Sequence, residues 1–217
     1  MKKISFLFLT GLLLSSLSLE GQSKKSFGLK AGVSLANQSI RYTPIDYTID
    51  TDIVLGPAVG LFYETFRGSN FSLQTDLLYN PKGSKTAVGL VTINHLENDR
   101  IEVIQGDLAI SKFHYLSLSP MLRYRLEKGS KTIYAMLGPR LDYLLVYNTD
   151  SAYPLEDQNE SILGLTGALG MEMSFYMASV FAEIQYMPDL SPLTNEEPLL
   201  VNNNSLLINF GLRLAMY

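Results

Sequence analysis

The sequence contains no cysteine, no tryptophan and two histidines, and only 18% of its 217 residues are charged. Each shortage excludes something. Without cysteine there is no disulfide framework, no thiolate metal site, no cysteine nucleophile and no lipidated cysteine at a mature N-terminus. With Lys+Arg at 17 against Asp+Glu at 21, there is no overall basic surface to attract nucleic acid. Beyond the N-terminus no apolar run reaches the length of a spanning helix. What is abundant is apolar and aromatic: hydrophobic residues make up 47%, with 13 Tyr and 10 Phe. Such a chain is too apolar for disorder, and its length suits one domain.

The chain opens Met1-Lys2-Lys3 and continues apolar from Ile4 to Leu19, before Glu20, Gly21 and Gln22. A positive start and a short apolar run form the pattern of a secretory signal peptide, so residues 1–21 are expected to be removed and 22–217 to form the exported domain.

From Phe27 onward the hydrophobic period is 2. Eight segments alternate: 26–36, 54–66, 71–82, 115–126, 132–147, 162–175, 179–188 and 205–217. Alternation of this kind marks strands whose faces meet different environments. It fits a soluble barrel with its apolar face inside or an outer-membrane barrel with that face in lipid. Two features favour lipid. The apolar faces carry no charge, as expected where a midplane Lys or Arg costs ~2–4 kcal/mol. The opposite faces are small as well as polar, with Gly28, Gly32, Gly60, Gly170 and Gly211 among them, which suits a crowded interior.

The links agree: those at 67–70, 127–131 and 176–178 are short, and those at 37–53, 83–114, 148–161 and 189–204 are long. Outer-membrane barrels place periplasmic turns and extracellular loops in this alternating way. The expectation is an all-β, eight-stranded antiparallel up-and-down transmembrane barrel with both termini in the periplasm. Aromatic girdles follow, with Phe27, Tyr63, Phe71, Tyr124 and Phe175 near the periplasmic rim and Tyr79, Tyr143, Tyr147 and Tyr186 near the outer rim. Phe71 to Tyr79 covers ~20 Å along the membrane normal at a tilt of ~40°, near the apolar band of ~25 Å. Pro57, Pro120 and Pro139 fall inside strands, where each removes a ladder donor, so bulges or broken pairing are expected there. The partly apolar segment 88–110 could extend two strands beyond the membrane as a hairpin.

Three short stretches carry a family likeness: Phe27-Gly28-Leu29-Lys30-Ala31-Gly32, Tyr115-Leu116-Ser117-Leu118-Ser119-Pro120 and Leu137-Gly138-Pro139. They resemble the outer-membrane β-barrel family of Bacteroidetes often called PorT-like. The resemblance implies an eight-stranded barrel similar to the OmpA and OmpX transmembrane domains and no common biochemical activity. One member class of that family supports a secretion machine. The end of the chain resembles the barrel-assembly signal through Asn209, Gly211, Leu214 and Met216, with Tyr217 one residue past the usual frame. Outer-membrane lipid and, during insertion, the barrel-assembly machinery are the partners this implies.

Charges concentrate on the face assigned to the lumen: Lys30, Lys82, Arg123, Arg125, Arg140 and Arg213 against Glu64, Asp76, Asp142, Glu172 and Glu183. An eight-stranded barrel has room only for side chains, and buried charges must be paired. The expected result is a plug in two ionic layers: Glu64 and Glu172 with Lys30, Arg123, Arg125 and Arg213 near the periplasm, and Asp76, Asp142, Arg140 and Glu183 at mid-height. A narrow conduit is the rival.

Catalysis is not expected. His95 falls in the longest link. His114 has the parity of the lipid face, as in outer-membrane lipid A deacylases, but the next position on that face is Leu116 and Ser117 points inward, so no nucleophile lies within reach of the base. The long links are acidic: Asp46, Asp50, Asp52, Glu97, Asp99, Glu102, Asp107, Asp150, Glu156, Asp157, Glu160, Asp189, Glu196 and Glu197 outnumber Arg41, Lys85, Arg100 and Lys112. None shows the spacing of a calcium loop, so no metal or cofactor is expected. Asn195 to Asn204 reads as a mobile loop. The function expected is a non-enzymatic outer-membrane barrel with an envelope structural or surface-interaction role through its long acidic extracellular loops, with an envelope protein as a further partner; a small-solute channel or an accessory subunit of a secretion machine are the alternatives.

Overall fold

The computed structural model describes residues 25–42, 47–66, 68–87, 108–149, 159–193 and 199–216. The proposed signal segment, His95, Tyr217 and most of the acidic link residues lie outside them.

Nine strands form: β1 (Lys25–Tyr42), β2 (Tyr47–Asp50), β3 (Val54–Thr65), β4 (Phe71–Ala87), β5 (Leu108–Lys128), β6 (Lys131–Thr149), β7 (Ser161–Ser174), β8 (Ala178–Pro188) and β9 (Leu199–Met216). β1 and β3 to β9 are hydrogen-bonded in sequence order, and β1 also pairs with β9, closing an eight-stranded antiparallel barrel. The closing seam is continuous from Lys25↔Met216 to Tyr42↔Leu199, which leaves no free edge through the barrel wall. β2 was not apparent from periodicity; it folds back as a short hairpin arm on the long-link end of β1.

The strands differ in length for a physical reason. A spanning strand needs ~9–11 residues, yet β5 has 21 and β6 has 19. The surplus lies at the end with the long links, where β4, β5 and β6 continue together past the apolar belt. The hairpin extension expected of 88–110 is present where the residues are described, in Lys85↔Ile110 and Ala87↔Leu108. At the other end the links are tight. Lys128↔Lys131 closes a two-residue turn at Gly129, whose φ of 62° is the left-handed backbone such turns demand.

The barrel is inverted relative to a soluble protein. Leu29, Leu137, Leu169 and Phe210 are more than half exposed on the outer face, while Lys30, Arg123, Arg140 and Asp142 are almost fully buried inside. Several glycines follow from this interior. Gly28, Gly170 and Gly211 lie directly opposite Phe62, Tyr134 and Phe181 on neighbouring strands. An added Cβ would meet each ring within 2.4 Å, so the missing side chain is the space into which the large one folds.

Of the three strand prolines, Pro57 pairs with Val33 without a register change, so no break is seen on that side. Pro120 and Pro139 coincide with a gap in the β5–β6 pairing between Leu118↔Leu141 and Leu122↔Leu137, because neither ring can donate to the ladder. A register shift not marked by proline lies further out. Between His114↔Val146 and Tyr115↔Leu144 one extra residue, Leu145, is inserted in β6.

Candidate functional site

The lumen charges form three layers. Nearest the short turns, Glu64 and Glu172 face Arg123, Arg125 and Arg213. Arg123 Nη2 lies 2.6 Å from Glu172 Oε2, Arg125 Nη1 lies 2.8 Å from Glu64 Oε1, and Arg213 bridges the two acids, pairing with Glu64 and lying 3.1 Å from Glu172. Gln74 accepts from Arg123 and Arg213, and Ser26 donates to Glu64. The guanidinium of Arg123 stacks 3.9 Å over the Tyr134 ring and that of Arg213 lies 4.6 Å over Phe62, so the flat cations also pack against apolar walls.

The second layer is built on Lys30, whose ammonium pairs with Asp76 and lies 2.8 Å from Glu183. One cation serves two acids here, and neutral donors supply the balance. Tyr134 and Asn209 donate to Glu183; Gln74 and Gln185 donate to Asp76.

The third layer, toward the long links, holds Lys82 2.5 Å from Asp142 and 2.6 Å from Asp189, with Arg140 3.0 Å from Asp142 and also paired with Asp189. Asn203 donates to Asp189, and Gln38 donates to Asn203. Above it Phe113, Tyr115, Ile162, Leu193 and Val201 close into an apolar roof, all buried.

Several expectations are corrected here. Three layers replace two: Lys30 belongs with Asp76 and Glu183, and Asp142 and Arg140 form their own layer with Lys82. Alternation assigns a face but not a height, and strand tilt shifts residues of similar sequence position along the barrel axis. Asp189, placed among the outer-link carboxylates, is buried and brings the lumen to six acids against six bases. It was missed because it follows Pro188 at the ragged end of β8, although the Lys82–Arg140 excess was a signal that an acid was lacking. Asn202 to Asn204, read as part of a mobile loop, belong to β9, and the buried Asn203 side chain is bonded on both sides.

The girdle residues Phe27, Tyr63, Phe71, Tyr124, Phe175, Tyr143 and Tyr186 are exposed on the outer face, with Phe71 and Tyr124 in contact at 5.0 Å. Tyr79 has the same outward parity but is half-buried against His114, and Tyr147 alone departs from that face. The extra residue at Leu145 inverts the parity of β6, and the Tyr147 ring stacks inward on Phe113 at 4.6 Å. In the proposed assembly signal, Leu214 and Met216 face outward, Asn209 points into the lumen, and Gly211 underlies Phe181.

For chemistry, His114 meets the Tyr79 hydroxyl at 2.6 Å through Nδ1, while Ser117 is fully buried on the other side of the wall. Among the described residues no group of three or more His, Asp or Glu is arranged to hold a metal ion.

A closed barrel with an apolar exterior and a charged interior defines an outer-membrane type of β-barrel. The chain belongs to the outer membrane protein beta-barrel domain family, whose pattern matches residues 20–195. No curated protein sequence matches the chain. Among solved structures it is similar to Neisserial surface protein A, with a TM-score of 0.47, 12% identity and coverage of 87% of this chain and 96% of that one. It is also similar to Ail, the attachment invasion locus protein of Yersinia pestis, at 0.41 and 12%, covering 88% and 99%. A third is the outer membrane protease OmpT of Escherichia coli, at 0.44 and 8%, covering 89% and 97%.

Proposed function

We propose that this is a non-enzymatic integral outer-membrane barrel that serves the envelope as a rigid wall element presenting its long acidic links to partners outside the cell. The observation that carries this reading is the lumen: its charged side chains form three paired layers beneath an apolar roof. An ion entering would have to separate pairs whose rupture costs ~3–5 kcal/mol each, in a barrel of the size that side chains fill.

The same reading takes residues 1–21 as a cleaved signal peptide, places both termini in the periplasm and assigns the chain to the PorT-like branch of Bacteroidetes barrels. Its partners are outer-membrane lipid, the barrel-assembly machinery during insertion and an envelope protein. Planar-bilayer recording of the purified protein tests it. The expected trace is flat; stable ohmic openings would establish the small-solute channel instead. Recovery of a large envelope complex with the tagged protein from native membranes would establish the secretion-subunit reading.

A further inference from the structure

The β-bulge in β6 does more than turn Tyr147 inward. It also turns Asn148 outward, where it is exposed opposite the exposed Lys112 of β5. On the same outer face His114 lies two residues from Lys112, bonded to the Tyr79 hydroxyl. The positions facing Lys112 and His114 from β4 are Gly83 and Pro81, which leave little side-chain relief beside the two bases. Lys85, next on that face, sits opposite Asp52 across a backbone β-bridge.

These residues stand where the barrel leaves the apolar belt. Tyr79 and Leu116 are level with the girdle Tyr143, and Leu145 and Val146 beside His114 are about half exposed. The Tyr79 hydroxyl holds Nδ1 at 2.6 Å, which fixes the ring and leaves Nε2 as its other polar atom. One ammonium, one imidazole and one amide thus stand as neighbours on the outward face at the edge of the apolar belt. No carboxylate occurs on the outward positions of β4, β5 and β6 among the described residues. Bulges re-aim side chains in this way where a wall must make a site.

We infer that Lys112, His114 and Asn148, with Tyr79 orienting the imidazole, bind the phosphate of an outer-leaflet glycolipid headgroup against the outside of the barrel. Charge-assisted bonds to phosphate account for the cation and the donors, and acyl chains of the same lipid would lie on the apolar face below. The site is independent of what the acidic links bind. It does rest on the long links facing the cell exterior, which is checked separately: the Asn148→Cys variant of this cysteine-free chain should be labelled by an impermeant thiol reagent in intact cells.

The test uses the full-length protein in detergent micelles and native mass spectrometry, with bisphosphorylated lipid A as probe. Retention is expected to be about tenfold greater for bisphosphorylated than for dephosphorylated lipid A, the factor of one charge-assisted bond. Lys112→Ala/His114→Ala should lower retention about tenfold, while Lys131→Ala, which removes a charge from the opposite rim, should leave it unchanged. Inorganic phosphate at equal concentration should not displace the lipid. Equal retention of the two lipids, an equal loss in Lys131→Ala, or displacement by inorganic phosphate, which would mark a site for the free anion, each overturns the assignment. Heat-modifiable migration verifies that each variant is folded; should the double variant fail to fold, Tyr79→Phe and Asn148→Ala carry the same comparison.

Discussion

Glu172 is the most informative residue to change. It is 6% exposed and lies 2.6 Å from Arg123 and 3.1 Å from Arg213. The buried layer around it holds three arginines and two glutamates, a net of +1. Glu172→Gln preserves the shape and one acceptor but raises that net to +2, leaving Glu64 as the one buried carboxylate beside the three guanidiniums, with the half-exposed Glu127 lying 3.1 Å from Arg125. Breaking a buried pair while one partner stays costs ~3–5 kcal/mol. Because Arg123 and Arg213 keep Gln74 and Glu64 as acceptors, the lower end, about 3 kcal/mol, is expected. The double variant Glu172→Gln/Arg213→Met returns the layer to +1 and should recover most of the loss, since an apolar side chain can replace a buried ion pair at little cost. The assay is the urea midpoint of unfolding in detergent, followed by heat-modifiable migration. An unchanged midpoint for Glu172→Gln, or a double variant less stable than the single one by a further full increment, would refute the account of a balanced layer.

Leu212→Arg should impair membrane assembly, at ~2–4 kcal/mol if it sits near the midplane, whereas Arg213→Leu should still insert but unfold at lower urea; quenching of a probe at 213 rather than 212 by brominated lipid would show β9 to be inside out. Gly211→Ala should destabilise by ~1–3 kcal/mol, read from the same unfolding curve, because the new methyl would lie 2.4 Å from the Leu29 carbonyl and 2.3 Å from the Phe181 ring. Lys82→Met should destabilise by ~3–5 kcal/mol by leaving Arg140 as the one cation beside both Asp142 and Asp189, and Lys82→Met/Asp142→Leu should recover part of it.

The fold class was legible in the sequence because a membrane barrel writes its environment into every second residue. Lipid forbids charge on one face, a narrow lumen demands small and paired residues on the other, and both demands repeat along all eight spanning strands. Phe71, Leu73, Leu77 and their neighbours could therefore be assigned to a face from alternation alone, as could Lys30 and Arg213. Alternation breaks down wherever one residue is added. Nothing in Leu144-Leu145-Val146-Tyr147 distinguishes a bulge from a continuous strand, so only the tertiary pairing decided that Tyr147 turns inward and Asn148 outward. Partner choice was equally hidden. Parity puts Lys30, Asp76, Arg140 and Glu183 in the lumen, but which of them meet depends on barrel tilt and on strands far apart in sequence, as in the pairing of Lys30 with Glu183. Asp189 keeps the buried parity of Phe181, Glu183, Gln185 and Met187, and it lines the lumen because backbone pairing with Gly164 and Asn203 carries the wall one residue past Pro188. The local chemistry of each residue sets which face it can occupy; the closure of β1 on β9 sets its height and its neighbours, and with them the three ionic layers and the apolar roof.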